Sequence, residues 1–220
     1  MFRLIPVLNL PQVEELRAIA RSARFVDGRV TNPHSTVKNN TQLHDAAAYD
    51  RSAEILRAAL LASREFRDFA FPKAIAPPML TRYHPGMHYG AHADAALMFL
   101  PKGVIRADLS CTIFLSEPDS YEGGALRIQL GDARMAFKAD AGTAIVYPST
   151  TLHEVEPVTG GERLVGLTFI QSRIADPARR EILYELNEVA ALEGLRMAPE
   201  NVARLQAVRE NLTRRWADAP

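Results

Sequence analysis

Seven short runs rich in β-branched and aromatic residues crowd the stretch between residues 79 and 172: 79–83, 109–115, 125–130, 134–138, 143–147, 154–158 and 164–170. Glycine, proline and aspartate separate them. A strand of five to seven residues cannot cover its own apolar side chains, so runs this short and this numerous must pack sheet on sheet. The expectation is a sandwich or barrel. Thr159-Gly160-Gly161-Glu162 reads as a tight hairpin between two of the runs.

The flanks differ in character. Residues 2–8 and 25–30 read as short strands, and 11–22 and 45–62 read as helices with apolar residues at helical spacing. Pro11 suits the first turn of a helix. The polar segment 31–42 reads as a loop, and 74–83 as extended because of Pro77 and Pro78. After Gln171 two further helices are expected, 177–191 and 199–216, broken at Glu193-Gly194. The chain thus divides into an N-terminal mixed segment (1–78), a β core (79–172) and a C-terminal helical tail (173–220). The tail is too small to be stable alone and should pack on the core or on another subunit.

Composition narrows the partners. Lys+Arg and Asp+Glu are both 26, so the formal net charge is zero. A neutral chain gives no support for a nucleic-acid or anionic-membrane partner, which usually needs a basic surface, although zero net charge leaves room for a local basic patch. No apolar stretch approaches the length of a membrane span, and the N-terminus lacks the pattern of a signal peptide. A cytoplasmic protein is expected. Cys111 is the one cysteine and lies within an apolar run, so it reads as a buried strand thiol and no internal disulfide framework exists.

The chemistry concentrates in residues 81–94. His92 and Asp94 stand two apart, and an extended chain sends alternate side chains to one face. A third ligand must come from elsewhere, and His153, just beyond the 143–147 run, is the candidate. Two histidines and a carboxylate leave half of a coordination sphere open, the facial triad of non-haem Fe(II) oxygenases. Arg163 begins an otherwise apolar strand, where an inward charge needs an anionic partner. A planar guanidinium meets a carboxylate through two hydrogen bonds. The plainer alternative places Arg163 at the surface, paired with Glu154 or Glu162. His34, His44, His84 and His88 read as ordinary surface or core histidines, Gly123-Gly124 as a turn, and the arginines of the tail (Arg204, Arg209, Arg214, Arg215) as a solvated face.

Tyr83-His-Pro-Gly86, Tyr89-Gly-Ala-His92-Ala-Asp94, Glu122-Gly-Gly124 and His153-Glu-Val-Glu-Pro-Val-Thr-Gly-Gly-Glu-Arg163 together resemble the prolyl/lysyl-hydroxylase branch of the 2-oxoglutarate/Fe(II) dioxygenases. Within that branch the chain looks most like the bacterial PKHD-type hydroxylase family, over nearly its whole length. The resemblance implies a mainly β, α+β protein: a double-stranded β-helix (jelly roll) flanked by N-terminal helices and a C-terminal helical tail. It implies Fe(II) on His92, Asp94 and His153, and the distal carboxylate of 2-oxoglutarate on Arg163. Tyr83 would touch the cosubstrate, Tyr89 would lie nearer the primary substrate, and Ser110 or Thr112 would assist the cosubstrate. O2 is the oxidant, and ascorbate is the implied reductant. The implied reaction hydroxylates an unactivated C–H bond, with succinate and CO2 released. The primary substrate would be a peptidyl or amino-acid side chain, or a small metabolite, met by residues from 31–42 and 95–108. Met98, Phe99 and Leu100 suggest a lid or a homo-oligomer contact.

Three other functions compete. A zinc-dependent hydrolase could use the same ligands, but zinc does not account for Arg163. A nucleic-acid demethylase of the superfamily carries a second arginine six residues after the first, where this chain has Phe169. A non-catalytic jelly-roll protein that binds or senses metal and 2-oxoglutarate need not keep all four elements.

Overall fold

The computed structural model describes residues 1–101 and 103–218. In chain order the elements are β1 (Arg3–Pro6), α1 (Leu10–Ser22), β2 (Phe25–Asp27), β3 (Lys38–Asn39), β4 (Thr41–Leu43), α2 (Ala46–Ala62), α3 (Arg64–Ala70), β5 (Pro72–Ile75), β6 (Met79–Tyr83), β7 (His88–His92), β8 (Leu97–Leu100), β9 (Gly103–Arg106), β10 (Leu109–Phe114), β11 (Tyr121–Gly123), β12 (Leu126–Leu130), β13 (Ala133–Phe137), β14 (Thr143–Pro148), β15 (His153–Val155), β16 (Val158–Gly161), β17 (Arg163–Ser172), α4 (Pro177–Glu193) and α5 (Pro199–Trp216).

Two antiparallel sheets form the jelly roll. The large one has the order β1-β14-β10-β17-β6-β4-β2, with β5 also on β17, and the small one runs β13-β12-β15-β7-β3. The central strands of the large sheet are covered on both sides. On β10 the side chains of Leu109, Cys111 and Ile113 join one core with Leu16, Leu56, Leu60 and Phe66 of the helices. Phe114, the next residue along, joins a second core between the sheets with Tyr83, Ile128, Tyr147 and Val165. Every residue of β10 is buried, as expected of a strand roofed on both faces.

The helices start where their side chains can cap them. Asn9 and Gln12 form a reciprocal capping box on α1, whose Val13, Leu16 and Ala20 are buried. Asp45 caps α2, and Ser63 ends α2 while capping α3. That restart at Ser63 is why a separate α3 follows the helix expected to end at residue 62. In the tail, α4 buries Leu183 and Tyr184, whereas α5 buries no residue and lies on α4.

Three expectations need correction. Segment 31–42 is not only loop, because Lys38–Asn39 and Thr41–Leu43 are strands that pair with β7 and with β2 and β6. Their alternating buried residues are Lys38, Asn40 and Gln42, so the inward face is polar and an apolar alternation is absent. Residues 154–158 are not one strand: β15 ends at Val155, and β16 begins at Val158. Nor does Thr159–Glu162 close a hairpin. The pairing partners of Gly161 and Gly160 are Tyr121 and Glu122 of β11, while β17 pairs with β10, β5 and β6. Residues 95–108 hold a hairpin, β8 on β9, with Phe99 largely exposed.

Candidate metal centre

His92 ends β7 and His153 begins β15, and the two are direct partners across that antiparallel pair. Asp94 follows two residues after His92 on the chain leaving β7. One potential ligand atom from each of the three residues lies within 4.8 Å of the others, and they form such a group among the described residues. The Nε2 atom of His92 is 3.8 Å from Asp94 Oδ1, and that of His153 is 3.6 Å from Asp94 Oδ2. His153 is buried; His92 and Asp94 are partly open.

Both imidazoles are oriented by their own backbone. His92 Nδ1 bonds the carbonyl of Gly90 at 2.8 Å, and His153 Nδ1 bonds that of Thr151 at 2.9 Å. A carbonyl only accepts, so Nδ1 carries the proton in each ring and Nε2 presents its lone pair to the cluster. Burial, and next the neighbouring His153, push the His92 imidazole toward its neutral form. Asp94 is held by Ser110, whose hydroxyl donates to Oδ2 at 2.5 Å and contacts the Ser149 hydroxyl at 2.8 Å. Tyr89 stacks on His92 with ring centroids 3.6 Å apart, and Tyr147 meets His153 edge-on at 5.1 Å. Burial, reinforced by the charge of Asp94, raises the Tyr147 phenol well above its ordinary range, so the ring is neutral.

Arg163 occupies the inner face of β17, opposite Tyr83 in register. It is 1% exposed, the largest side chain in the fully buried set. Its Nε and Nη1 have no hydrogen-bond partner, and among the described residues it has no ion pair. Glu162 forms an ion pair with Arg82 instead, so the surface-pair reading of Arg163 does not hold. The guanidinium lies over the rings of Tyr83 and Phe114, at 4.9 and 5.9 Å from their centroids. Gly124, with φ +62°, makes room for it: a Cβ there would meet Arg163 Cδ at 3.2 Å and Val158 Cγ2 at 2.8 Å. Asn40 donates to the Tyr83 hydroxyl at 2.8 Å, which leaves the phenolic proton free to donate elsewhere.

Sequence reasoning missed Tyr147, Asn40, Ser149 and Lys38. Tyr147 was visible only as part of an apolar strand, and its inward direction depends on the register with Ser110. The other three are short or polar residues whose burial no pattern announced. His84 and His88 stay outside the cluster, and Cys111 is fully buried.

The 2OG-Fe(II) oxygenase superfamily profile matches residues 78–171, which run from β6 into β17 and include the triad. A Pseudomonas putida prolyl-4-hydroxylase shares the fold with TM-score 0.57 and 22% identity, over 77% of this chain and 92% of that one. This is therefore the jelly roll of an Fe(II)- and 2-oxoglutarate-dependent oxygenase, an enzyme of the dioxygenase class. A PKHD-type hydroxylase of Sphingopyxis alaskensis is 60% identical over 98% of this chain and 99% of its own length. Another, from Synechococcus, is 38% identical over 96% of both chains. The chain belongs to the PKHD-type hydroxylase family.

Proposed function

We propose that His92, Asp94 and His153 hold Fe(II), that Arg163 receives the distal carboxylate of 2-oxoglutarate, and that the enzyme hydroxylates a peptidyl or amino-acid side chain, with a small metabolite as the alternative substrate. The observation that carries this reading is the buried Arg163 guanidinium, left without an anion on the inner face of the jelly roll. A buried cation costs several kcal/mol unless it is paired. A carboxylate from the cosubstrate would supply the pairing in the bidentate geometry that arginine favours.

The donor set fits the metal: two imidazoles, each with Nε2 turned to the cluster, and one carboxylate converge, with the remaining positions open. When bound, Fe(II) couples the oxidation of 2-oxoglutarate by O2, to succinate and CO2, to hydroxylation of a C–H bond. The protein's residues orient the participants. Ser110 fixes the Asp94 carboxylate, and Gly90 and Thr151 fix the ring directions. Tyr83, its oxygen already accepting from Asn40, donates its proton toward the cosubstrate. Tyr89 lines the side on which the primary substrate enters. Tyr147 and Phe114 keep water from the inner wall.

The same reading takes residues 79–172 as the catalytic core, with 1–78 and 173–220 packed on it, acting in the cytoplasm with ascorbate as reductant. No helix among the described residues is long and apolar enough to cross a membrane. The exposed β8–β9 hairpin is the candidate contact for a homo-oligomer.

The test is anaerobic addition of Fe(II) and then 2-oxoglutarate to metal-free protein. A weak visible charge-transfer band should appear, and Arg163→Ala should require much more cosubstrate to reach it. A folded, iron-loaded protein with no band would overturn the assignment.

A further inference from the structure

The site has a second buried cation. Lys38 on β3 is 8% exposed, in a chain that contains only four lysines. An ammonium offers three N–H donors. One of them reaches Thr31 Oγ1 at 2.8 Å, and Thr31 in turn donates to Gln42 Oε1 at 2.9 Å. Among the described residues no carboxylate lies within ion-pair distance of Lys38; Asp27 and Asp94 act on its charge only from farther away, and its hydroxyl partner is neutral. A buried ammonium with one neutral hydrogen-bond partner and no carboxylate in contact is costly to maintain, which a structural role does not explain.

Its position explains it better. Lys38 pairs with Tyr89 across β3 and β7, and its Nζ lies 5.6 Å from the Tyr89 ring centroid. The same ring is stacked on His92. The charge therefore stands one aromatic ring away from a metal ligand, on the edge strand of the small sheet. Arg163 stands on a central strand of the large sheet. The two cations thus belong to different sheets of the jelly roll.

The backbone is built to keep Lys38 and its neighbours in place. Gly28 donates to the Asn40 carbonyl at 2.8 Å, and a Cβ on Gly28 would lie 1.8 Å from Asn40 Oδ1. Only glycine permits that approach, which turns the chain from the small sheet at Lys38–Asn39 to the large sheet at Thr41–Leu43.

We infer that Lys38 is a specificity-determining residue that binds a carboxylate of the primary substrate. This rests on the cosubstrate reading above. 2-Oxoglutarate has two carboxylates, one beside the oxo group for the metal and one for Arg163, so none remains for Lys38. The substrate class is a molecule whose carboxylate lies a short distance from the C–H bond to be hydroxylated: a free amino acid, a chain terminus or an acidic side chain.

The experiment reads the lysine itself. Protein labelled with 13C-lysine, loaded with Zn(II) as a redox-inert stand-in and saturated with 2-oxoglutarate, gives few side-chain signals. Lys38→Arg removes one of them while keeping the charge and so assigns it. Acetate should shift the Lys38 signal saturably, and acetamide, its neutral isostere, should not. Glycine, N-acetylglycine and N-acetyl-aspartate α-amide then compare the three carriers; the one that saturates at the lowest concentration identifies the source. Equal shifts from acetate and acetamide, or none from any carboxylate, would overturn the inference. So would a Lys38 signal that 2-oxoglutarate itself saturates and thereby closes to acetate, because Lys38 would then belong to the cosubstrate. Succinate formation by the Fe(II) protein is measured separately: its absence would sink the oxygenase reading while leaving the lysine titration interpretable.

Discussion

The two sides of the large sheet carry different chemistry on the same strands. Toward the helices β10 presents Leu109, Cys111 and Ile113, all at most 1% exposed and packed on Leu56, Leu60 and Phe66. Toward the small sheet it presents Ser110, which holds Asp94, and Thr112 and Phe114. On β17 the helix side has Leu164 and Ile170, and the other side has Arg163 and Val165. One face is packed for stability. The other keeps polar groups in costly surroundings, where the proposed metal and anion would meet them. Stability and function are therefore separable by substitutions only one residue apart.

The separation can be broken most severely at the metal. Asp94→Ala should lower both metal affinity and succinate formation by well over ~100-fold, more than the loss of an outer-shell partner, with the thermal transition of metal-free protein little changed. Metal content after dialysis and cosubstrate turnover check both parts. The opposite face should behave inversely. Leu56→Ala removes a fully buried side chain that packs against Gly166 of β17 and should cost about 2–5 kcal/mol in urea unfolding. The KM for 2-oxoglutarate should stay within about twofold of its original value; a tenfold rise would mean that the faces are coupled.

Arg163→Met sharpens the contrast. In the wild type, 2-oxoglutarate at a hundredfold over its Kd should stabilise the metal-loaded protein by about 2.7 kcal/mol. The variant should lose most of that at the same concentration and, in the absence of cosubstrate, should be no less stable, because it gives up an unpaired buried charge. Ser110→Ala should have a smaller effect, roughly 10-fold to 100-fold in metal affinity, with no change in the ligands themselves. The smallest effect concerns pH. Burial lowers the Lys38 ammonium from its ordinary 10.5 to about 8. Between those values the unfolded chain binds more protons, so this group makes the fold more stable as pH rises. The stability advantage of Lys38→Met over the wild type should be full below pH 8 and shrink toward pH 10.5. A constant advantage would place the ammonium in water.

The apolar face was the legible one. The runs at 79–83, 109–115 and 143–147 correspond closely to β6, β10 and β14, because a strand buried on both sides must be rich in branched and aromatic residues. His92, Asp94, His153 and Arg163 were legible through spacing and family resemblance, and the fold brings the first three together and buries the fourth. What escaped was the polar interior. Lys38, Asn40 and Gln42 alternate inward at 8%, 4% and 2% exposure, as regularly as any strand, but in residue types that suggest solvent. Register was illegible for a related reason. The Gly160-Gly161 pair has hairpin chemistry, yet its partner β11 lies some forty residues earlier and can be found only in three dimensions.

Each ligand imidazole takes its direction from a carbonyl two residues before it, Gly90 for His92 and Thr151 for His153. The hydrogen bond that aims each ring is thus written into a tripeptide, whatever packs around it. Segments 31–42 and 95–108, expected to meet the substrate, can change while this local aim of both rings stays intact. A lineage could therefore exchange substrates repeatedly without having to rebuild its metal site.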